Sequence, residues 1–187
     1  MRSALLLIDI QNDYFPGGAM TLDGSDAAGA RAGQLLAAFR AAGRPVIHIR
    51  HQSVRPGATF FLPGTPGAEI HASVAPQAGE PVLDKHFPNS FRETALQETL
   101  QKLGVEELAV AGMMTHMCVD ATVRAAFDLG YRCRVAGDAC ATRGLEHDGA
   151  QVPAGQVHAA FLAALNGIYA TVEPSAAVAQ KVAQKAD

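Results

Sequence analysis

Hydrophobic residues form short uninterrupted runs along the chain, which alternate with longer segments where apolar residues recur every three or four positions. A short uninterrupted run is typical of a strand covered on both faces, whereas recurrence every three or four positions is typical of an amphipathic helix. The pattern predicts six strands, at Ala4–Asp9, Val46–Ile49, Pro81–Asp84, Glu107–Gly112, Tyr131–Val135 and Ile168–Val172. It also predicts four helices, at Ser25–Ala42, Ser90–Leu103, His116 or Met117 to Leu129, and Asp148–Leu165.

Strands separated by helices predict a doubly wound, Rossmann-like α/β fold, with a six-stranded, mostly parallel sheet and helices on both faces. Ser90 and Glu93 match a capping box at the start of the second helix. Residues 52–80 are rich in glycine and proline and predict a long irregular excursion, and loops of that length are usually functional. We expect a single domain over residues 1–172 and a C-terminal tail over 173–187.

Composition narrows the class of protein. The chain has 187 residues, of which 49% are hydrophobic, and its formal charge is −3, so we expect a folded domain that binds neither nucleic acid nor a membrane surface. The apolar run at the start is too short for a secretory signal or a spanning helix. Three cysteines without Cys-x-x-Cys spacing argue against disulfides and a zinc knuckle, and the simplest location is a reducing cytoplasm.

Three chemically distinct side chains follow the ends of three predicted strands. Asp9 ends the first strand, Lys85 follows the third, and Cys118 opens the helix after the fourth. In a doubly wound sheet, ligands bind outside the carboxyl ends of the strands, so these three residues are expected to meet in one cleft. A helix N-terminus and a nearby ammonium should lower the pKa of the Cys118 thiol, and a partly desolvated Asp9 could act as a base.

Each of these residues also has an ordinary structural interpretation. A single cysteine is most often a small buried hydrophobe, a carboxylate at a strand end can cap a turn, and a lysine is usually solvated. Their convergence on one rim favours catalysis over three independent structural roles. His48 and His51 lie three apart on a strand and should point to opposite faces, so we predict no metal site. His116 is too close to Cys118 along one turn to serve as its base.

The same residues resemble the cysteine hydrolases of the isochorismatase-like superfamily, which includes nicotinamidases, N-carbamoylsarcosine amidase and ureidoacrylate amidohydrolase. Four motifs carry the resemblance and span nearly the whole domain. They are Leu-Leu-Ile-Asp9-Ile-Gln-Asn-Asp-Tyr-Phe15, Asp-Lys85-His-Phe-Pro-Asn-Ser-Phe91, the stretch Gly112-Met-Met-Thr-His-Met-Cys118-Val-Asp-Ala-Thr-Val-Arg-Ala-Ala-Phe127-Asp-Leu-Gly-Tyr131, and Gly137-Asp-Ala-Cys-Ala-Thr142.

The resemblance implies a catalytic triad of Asp9, Lys85 and Cys118. It also implies a cis peptide bond between Met113 and Met114 and an oxyanion hole formed by the backbone N–H groups of Met114 and Cys118. Family members that cleave isochorismate lack the cysteine, so its presence argues against that reaction. The family resemblance also leads us to expect a homodimer or homotetramer.

Nicotinamide is a doubtful substrate, because the nicotinamidase metal motif Asp-x-His is absent from the stretch that ends at His51. We therefore expect no cofactor and no metal, with residues 58–71 folding over the substrate pocket. The expected walls of the pocket are Phe15, Phe60, Phe87 and His116.

The predicted function is hydrolysis of a C–N bond in a small amide or ureido-type substrate through a thioester on Cys118. Two alternatives use the same fold. A thiol-based redox or electrophile sensor would also need a reactive cysteine, although it would not need Asp9. A catalytically silent binding module would hold a carbonyl ligand in the same pocket and release no ammonia.

Overall fold

The central feature of the molecule is a six-stranded parallel sheet, seen in a computed structural model that describes residues 2–184. The strand order is β3-β2-β1-β4-β5-β8, and every neighbouring pair is parallel. The predicted fold class is therefore confirmed. The strands of this sheet are β1 Ser3–Ile8, β2 Val46–His51, β3 Val82–Lys85, β4 Glu107–Met113, β5 Arg132–Ala141 and β8 Thr171–Glu173.

Within residues 2–184, five α-helices cover the two faces of the sheet, at α1 Ser25–Ala41, α2 Leu96–Lys102, α3 Asp120–Asp128, α4 Ala154–Leu165 and α5 Ser175–Gln184. Alternate residues of β1 enter opposite cores, because successive strand side chains point to opposite faces. Leu5 packs with residues of α1 and α5, whereas Leu6 packs with residues of α2, α3 and α4. None of the helices within residues 2–184 has the length and apolarity needed to cross a bilayer.

The second helix begins six residues later than predicted. α2 starts at Leu96, and Ser90 does not cap it. The Ser90 hydroxyl instead lies 2.8 Å from the Thr122 hydroxyl of α3, in the interior, and Glu93 has a positive φ of 56°. The capping box was wrong because a long-range partner on α3 competes for the serine.

The helix predicted from Asp148 is replaced at its start by a β-hairpin. The antiparallel strands β6, Leu145–His147, and β7, Ala150–Val152, are joined by Asp148 and Gly149, and α4 begins only after them. The region predicted as a tail contains part of β8 and all of α5. Val178 and Val182 of α5 are buried against α1, and the last part of the tail, 185–187, lies outside the described residues.

The strand order reverses between β1 and β4, and two of the candidate catalytic residues, Asp9 and Cys118, follow these two strands. The two strands approach closely at Gly112: a Cβ atom at that position would lie 2.2 Å from the Ile8 carbonyl oxygen, and the φ of Gly112 is +152°. Only glycine fits such an approach. Strand crevices of this kind are the usual ligand sites of open α/β sheets.

Candidate active site

The Lys85 ammonium is the centre of a buried polar cluster. Its Nζ atom lies 2.7 Å from Oδ2 of Asp9, and it donates hydrogen bonds to Sγ of Cys118 at 3.3 Å and to the Phe87 carbonyl at 3.0 Å. The exposed fractions of Asp9, Lys85 and Cys118 are 0%, 0% and 4%. The structure therefore places the three predicted residues within contact distance of one another.

Each member of this cluster comes from a different strand end. Asp9 follows β1 directly and has a left-handed backbone, with a φ of 51°, which turns the chain out of the sheet. Lys85 is the last residue of β3. Cys118 lies in a π-helical turn, Thr115–Val119, that joins β4 to α3, and turns of this type occur frequently at functional sites.

Burial dominates the acid–base properties of the cluster. Burial raises the pKa of the Cys118 thiol well above its ordinary value, and the Asp9 charge raises it further, while Lys85 acts in the opposite direction. Burial also opposes the charge of Lys85, but the attraction of Asp9 and Cys118 is stronger, so the pKa of Lys85 is raised. The expectation of a lowered thiol pKa is therefore wrong for the resting site, where the sulfur keeps its proton beside a carboxylate.

His51 is a further member of the cluster, a position that sequence reasoning missed. Its Nδ1 atom lies 2.9 Å from Nζ of Lys85, and the two residues are register partners on neighbouring strands. Burial, the largest effect, lowers the pKa of His51 to about 4, and Lys85 adds to the lowering. The ring is thus neutral at pH 7. Because an ammonium can only donate, Nδ1 accepts and the proton is on Nε2.

His48 and His71 lie in other environments. His48 is buried on β2, with Nε2 2.9 Å from the Glu80 carboxylate, and burial lowers its pKa. His71 stacks on the ring of Phe15, with ring centres 3.5 Å apart. His48 and His51 therefore have separate partners, in keeping with the expectation that they point to opposite faces.

The four expected wall residues have different surroundings. The ring of Phe15 stacks on His71 and lies close to Gly29 of α1, where a Cβ atom would clash with it. The contacts of Phe15 are therefore on the α1 side of the sheet. Phe87 carries the guanidinium of Arg92 over its ring at 3.6 Å, and its carbonyl accepts from Lys85.

The other two wall residues contact different parts of the molecule. Phe60 packs on Tyr14 and Phe61. The Nδ1 atom of His116 lies 2.5 Å from the Thr142 hydroxyl, and the His116 ring packs on Phe161. Within residues 2–184, no hydrogen bond joins His116 to the Cys118 sulfur. This agrees with the view that His116 does not act as the base for Cys118.

Side chains of the segment after β1 attach the excursion of residues 52–80 by hydrogen bonds to its main chain. Gln11 donates to the carbonyls of Ala68 and His51, at 2.7 and 2.9 Å. Asn12 donates to the Pro66 carbonyl at 2.8 Å. Phe61 N–H donates to Asp13 at 2.6 Å. The excursion thereby brings buried Phe61 against Tyr14, with ring centres 4.5 Å apart, and near His51.

The turn between β4 and Cys118 is also buried. The peptide bond between Met113 and Met114 is cis. Met113, Met114 and Thr115 are buried, and the Thr115 hydroxyl donates to the Ala141 carbonyl of β5 at 3.2 Å. The backbone that leads into the π-helical turn is thus held between two strands.

Comparison with known proteins assigns the family. The model of the Isochorismatase domain matches residues 3–172. The chain belongs to the isochorismatase family. The isochorismatase family protein YddQ of Bacillus subtilis is 54% identical over 177 residues, covering 95% of this chain and 98% of its own. Maleamate amidohydrolase of Pseudomonas putida is 36% identical over 145 residues, covering 70% of this chain and 68% of its own.

A solved relative has the same architecture. The crystal structure of an isochorismatase hydrolase from Oleispira antarctica superposes with a TM-score of 0.93 at 52% identity, and the match covers 96% of each chain. The resemblance inferred from the four motifs is therefore confirmed, together with the predicted hydrolase class.

One group in this isochorismatase-family hydrolase has the composition of a metal site. Among residues 2–184, Asp9, His51 and Cys118 offer potential metal-ligand atoms that all lie within 4.8 Å of one another. The Lys85 ammonium contacts all three residues. A bound cation would have to displace that charge or be repelled by it, so the residues present fit an ammonium-centred site better than a metal site. The prediction of a metal-independent enzyme remains a prediction.

Replacing Asp13 with alanine is expected to loosen the excursion. Asp13 accepts from the backbone N–H of Phe61 and Ala19, and losing these bonds leaves a buried donor unpaired, a cost of about 1–3 kcal/mol in the free energy of unfolding. Limited proteolysis should then cut residues 52–80 faster than in the wild type. Asp128→Ala, at an exposed position of α3, is the control. Equal proteolysis of both variants would contradict this anchoring role.

Proposed function

We propose that this chain is an amidohydrolase in which Cys118 attacks the carbonyl of a small amide or ureido-type substrate. The observation that carries the proposal is the position of the Lys85 ammonium, which contacts the Asp9 carboxylate and the Cys118 sulfur at once inside a buried site. The family membership and the similarity to a maleamate amidohydrolase support it.

The first half of the reaction forms a thioester. Asp9 accepts the thiol proton as the sulfur attacks the carbonyl carbon, and the Lys85 ammonium stabilises both the thiolate and the carboxylate. The tetrahedral intermediate collapses when the C–N bond breaks. The leaving nitrogen takes the proton from Asp9, and ammonia or an amine departs. Because the resting thiol has a raised pKa, removal of its proton is coupled to attack.

The second half consumes one water molecule. Asp9 accepts a proton from water as the oxygen attacks the thioester carbon, and the proton returns to the sulfur when the C–S bond breaks. The products are the acid, or the carbamate for a ureido substrate, and the free enzyme. We propose that the backbone N–H groups of Met114 and Cys118 hold the oxyanion in both halves, since donors fixed in a buried site stabilise developing charge strongly.

The test is ammonia release from a panel of amides and ureido compounds by the wild type and by Asp9→Asn. Asp9→Asn preserves the shape of the site but cannot accept a proton, so kcat should fall by roughly 10²–10⁴-fold. Added hydroxylamine should divert the wild-type thioester to a hydroxamate. Asp120→Asn, which removes a charge at the first residue of α3, is the control. An Asp9→Asn variant with undiminished turnover would overturn the assignment of Asp9.

The two alternative functions give different results in the same assay. A redox sensor needs a thiol that ionises easily, whereas burial raises the pKa of the Cys118 thiol. A silent binding module would release no ammonia from any amide. Hydroxamate formation that depends on Cys118 excludes both.

A further inference from the structure

The hydroxyl of Thr122 joins the loop that follows Lys85 to the helix that follows Cys118. Thr122 lies on α3, about one helical turn beyond Cys118. Its Oγ1 atom accepts a hydrogen bond from the backbone N–H of Ser90 at 3.0 Å and lies 2.8 Å from the Ser90 hydroxyl. It also donates to the Pro88 carbonyl at 3.5 Å. One side chain of α3 therefore contacts three polar groups of the same loop.

These contacts close a ring through the groups that are proposed to react. The Phe87 carbonyl accepts a hydrogen bond from the Lys85 ammonium at 3.0 Å, and the same ammonium donates to the Cys118 sulfur at 3.3 Å. The next carbonyl along the loop, that of Pro88, accepts from Thr122. The position of the ammonium relative to the sulfur thus depends on β3, which carries Lys85, and on the contact between this loop and α3.

The two hydroxyl groups lie on a side of the sheet that is otherwise apolar. Ser90 and Thr122 are both fully buried, and α2 and α3 contribute Leu96, Leu100 and Val123 to the core on this side. A buried polar pair whose hydrogen bonds are made favours one arrangement of its neighbours, because a shift would leave a polar group without a partner. The pair is therefore suited to fixing the distance between the loop and the helix.

The Lys85 ammonium needs fixed acceptors because the lysine side chain is long and flexible. Asp9 accepts from it at 2.7 Å, and the Phe87 carbonyl is a second acceptor. In the proposed reaction Asp9 takes up a proton, which weakens its attraction for the ammonium, whereas the carbonyl is unchanged throughout. The loop that carries Phe87 therefore has to stay in place while charge moves between the reacting groups.

We propose that Thr122 and Ser90 are positioning residues that act through Lys85. Their contacts keep the Phe87 carbonyl in place, and that carbonyl keeps the ammonium against the Cys118 sulfur. This inference rests on the proposed function, because the groups that it positions are those proposed to react. Without the Thr122 hydroxyl, the ammonium should be less closely held and should stabilise the thiolate less.

The test measures how fast iodoacetamide labels Cys118 at about pH 8, followed on the Cys118 peptide by mass spectrometry. Below the pKa of the thiol, this rate follows the fraction of thiolate, which Lys85 increases. Thr122→Val preserves the shape of the side chain and removes the hydroxyl, so labelling should slow by at least about threefold. The value of kcat/KM should fall by roughly 10–10²-fold, since small misplacements of reacting groups are costly.

Two further threonine variants separate positioning from packing. Thr122→Ser keeps the hydroxyl and should restore labelling to within about twofold of the wild-type rate. Thr99→Val is the matched control, because the Thr99 hydroxyl bonds only locally, to the Ala95 carbonyl at 2.8 Å, and its loss should leave labelling unchanged. A merely structural role for Thr122 would speed labelling, because loosening a buried site exposes its sulfur. A Thr122→Val protein that labels as fast as the wild type, or faster, would overturn the proposal.

A double variant shows whether the effect of Thr122 passes through Lys85. In a Lys85→Met background, Thr122→Val should slow labelling no further, because both substitutions remove the same interaction. Slowing that is as large as in the wild type would overturn the proposal. Ser90→Ala keeps the backbone N–H that donates to Thr122, so it should slow labelling less than Thr122→Val does. If Thr122→Val does not fold, a Ser90→Ala protein that labels at the wild-type rate or faster is the overturning result.

Labelling requires no substrate, so this inference and the proposed function can fail separately. If no amide or ureido compound releases ammonia and the labelling rates keep the expected order, the proposed function fails and the positioning role stands. If ammonia is released while Thr122→Val matches the wild type in labelling and in kcat/KM, the positioning role is overturned and the proposed hydrolysis stands.

Discussion

Cys118→Ala is expected to abolish turnover and to leave the fold intact. The substitution removes the only sulfur that contacts the Lys85 ammonium within residues 2–184, and loss of a nucleophile costs roughly 10⁴-fold or more in kcat. The Asp9–Lys85 ion pair remains, so the unfolding transition should shift little. Ammonia release and far-ultraviolet circular dichroism measure the two effects separately.

Cys133→Ala is the matched control for this experiment. Cys133 is also a buried thiol, and burial raises its pKa to about 12, but its sulfur lies near backbone carbonyls of Val123 and Tyr131 and not near a cation. Its loss should leave turnover unchanged. If the Cys118→Ala protein retained a substantial fraction of the wild-type turnover, the thioester pathway would be excluded.

Lys85→Met is expected to have the second largest effect, on both activity and stability. Methionine preserves most of the volume and removes the charge, which leaves the Asp9 carboxylate buried without a cation. Breaking one side of a buried ion pair costs about 3–5 kcal/mol in the free energy of unfolding. Since Lys85 lowers the pKa of the Cys118 thiol, its loss should move iodoacetamide labelling of Cys118 to higher pH and reduce kcat/KM by roughly 10²–10⁴-fold.

The pH dependence of stability has a definite sign. The pKa of Lys85 is raised in the folded state, so its contribution is fully present below the ordinary lysine pKa and is lost as the pH rises through the raised value. The stability difference between wild type and Lys85→Met should therefore be full at pH 7–9 and should shrink above about pH 10.

A double variant separates charge from packing. Asp9→Asn combined with Lys85→Met removes both members of the pair, and it should be more stable than Lys85→Met alone, because no buried charge is left unmatched. A double variant as unstable as the sum of the two single variants would mean that the residues do not interact.

Much of the fold could be predicted because parallel strands buried on both faces are nearly continuous apolar runs. β1 and β4 are entirely buried, and both were located to within a residue or two. The β6–β7 hairpin was missed although Asp148-Gly149 is a typical hairpin turn, because the neighbouring residues also match a helical period. The start of α2 was missed because the partner of Ser90, Thr122, is 32 residues away.

The candidate site was predicted only in part. The strand-end rule selected Asp9, Lys85 and Cys118, which the structure brings into contact. The contact of His51 with Lys85 was not predicted, because it depends on the register between β2 and β3. The direction of the thiol pKa shift was wrong because the degree of burial is a property of the packed molecule and not of the local sequence.

The attachment of residues 52–80 has a consequence for how this protein can diversify. The side chains of Gln11 and Asn12 donate hydrogen bonds to main-chain carbonyls, and the Asp13 carboxylate accepts one from a main-chain N–H. Because these bonds use main-chain atoms of the attached segment, mutations of its side chains can change the surface that it presents without detaching it. Gly67 is an exception, since a Cβ atom would lie 2.1 Å from Asp13. The architecture thus separates a fixed buried cluster from an attached segment whose side chains are largely free to vary.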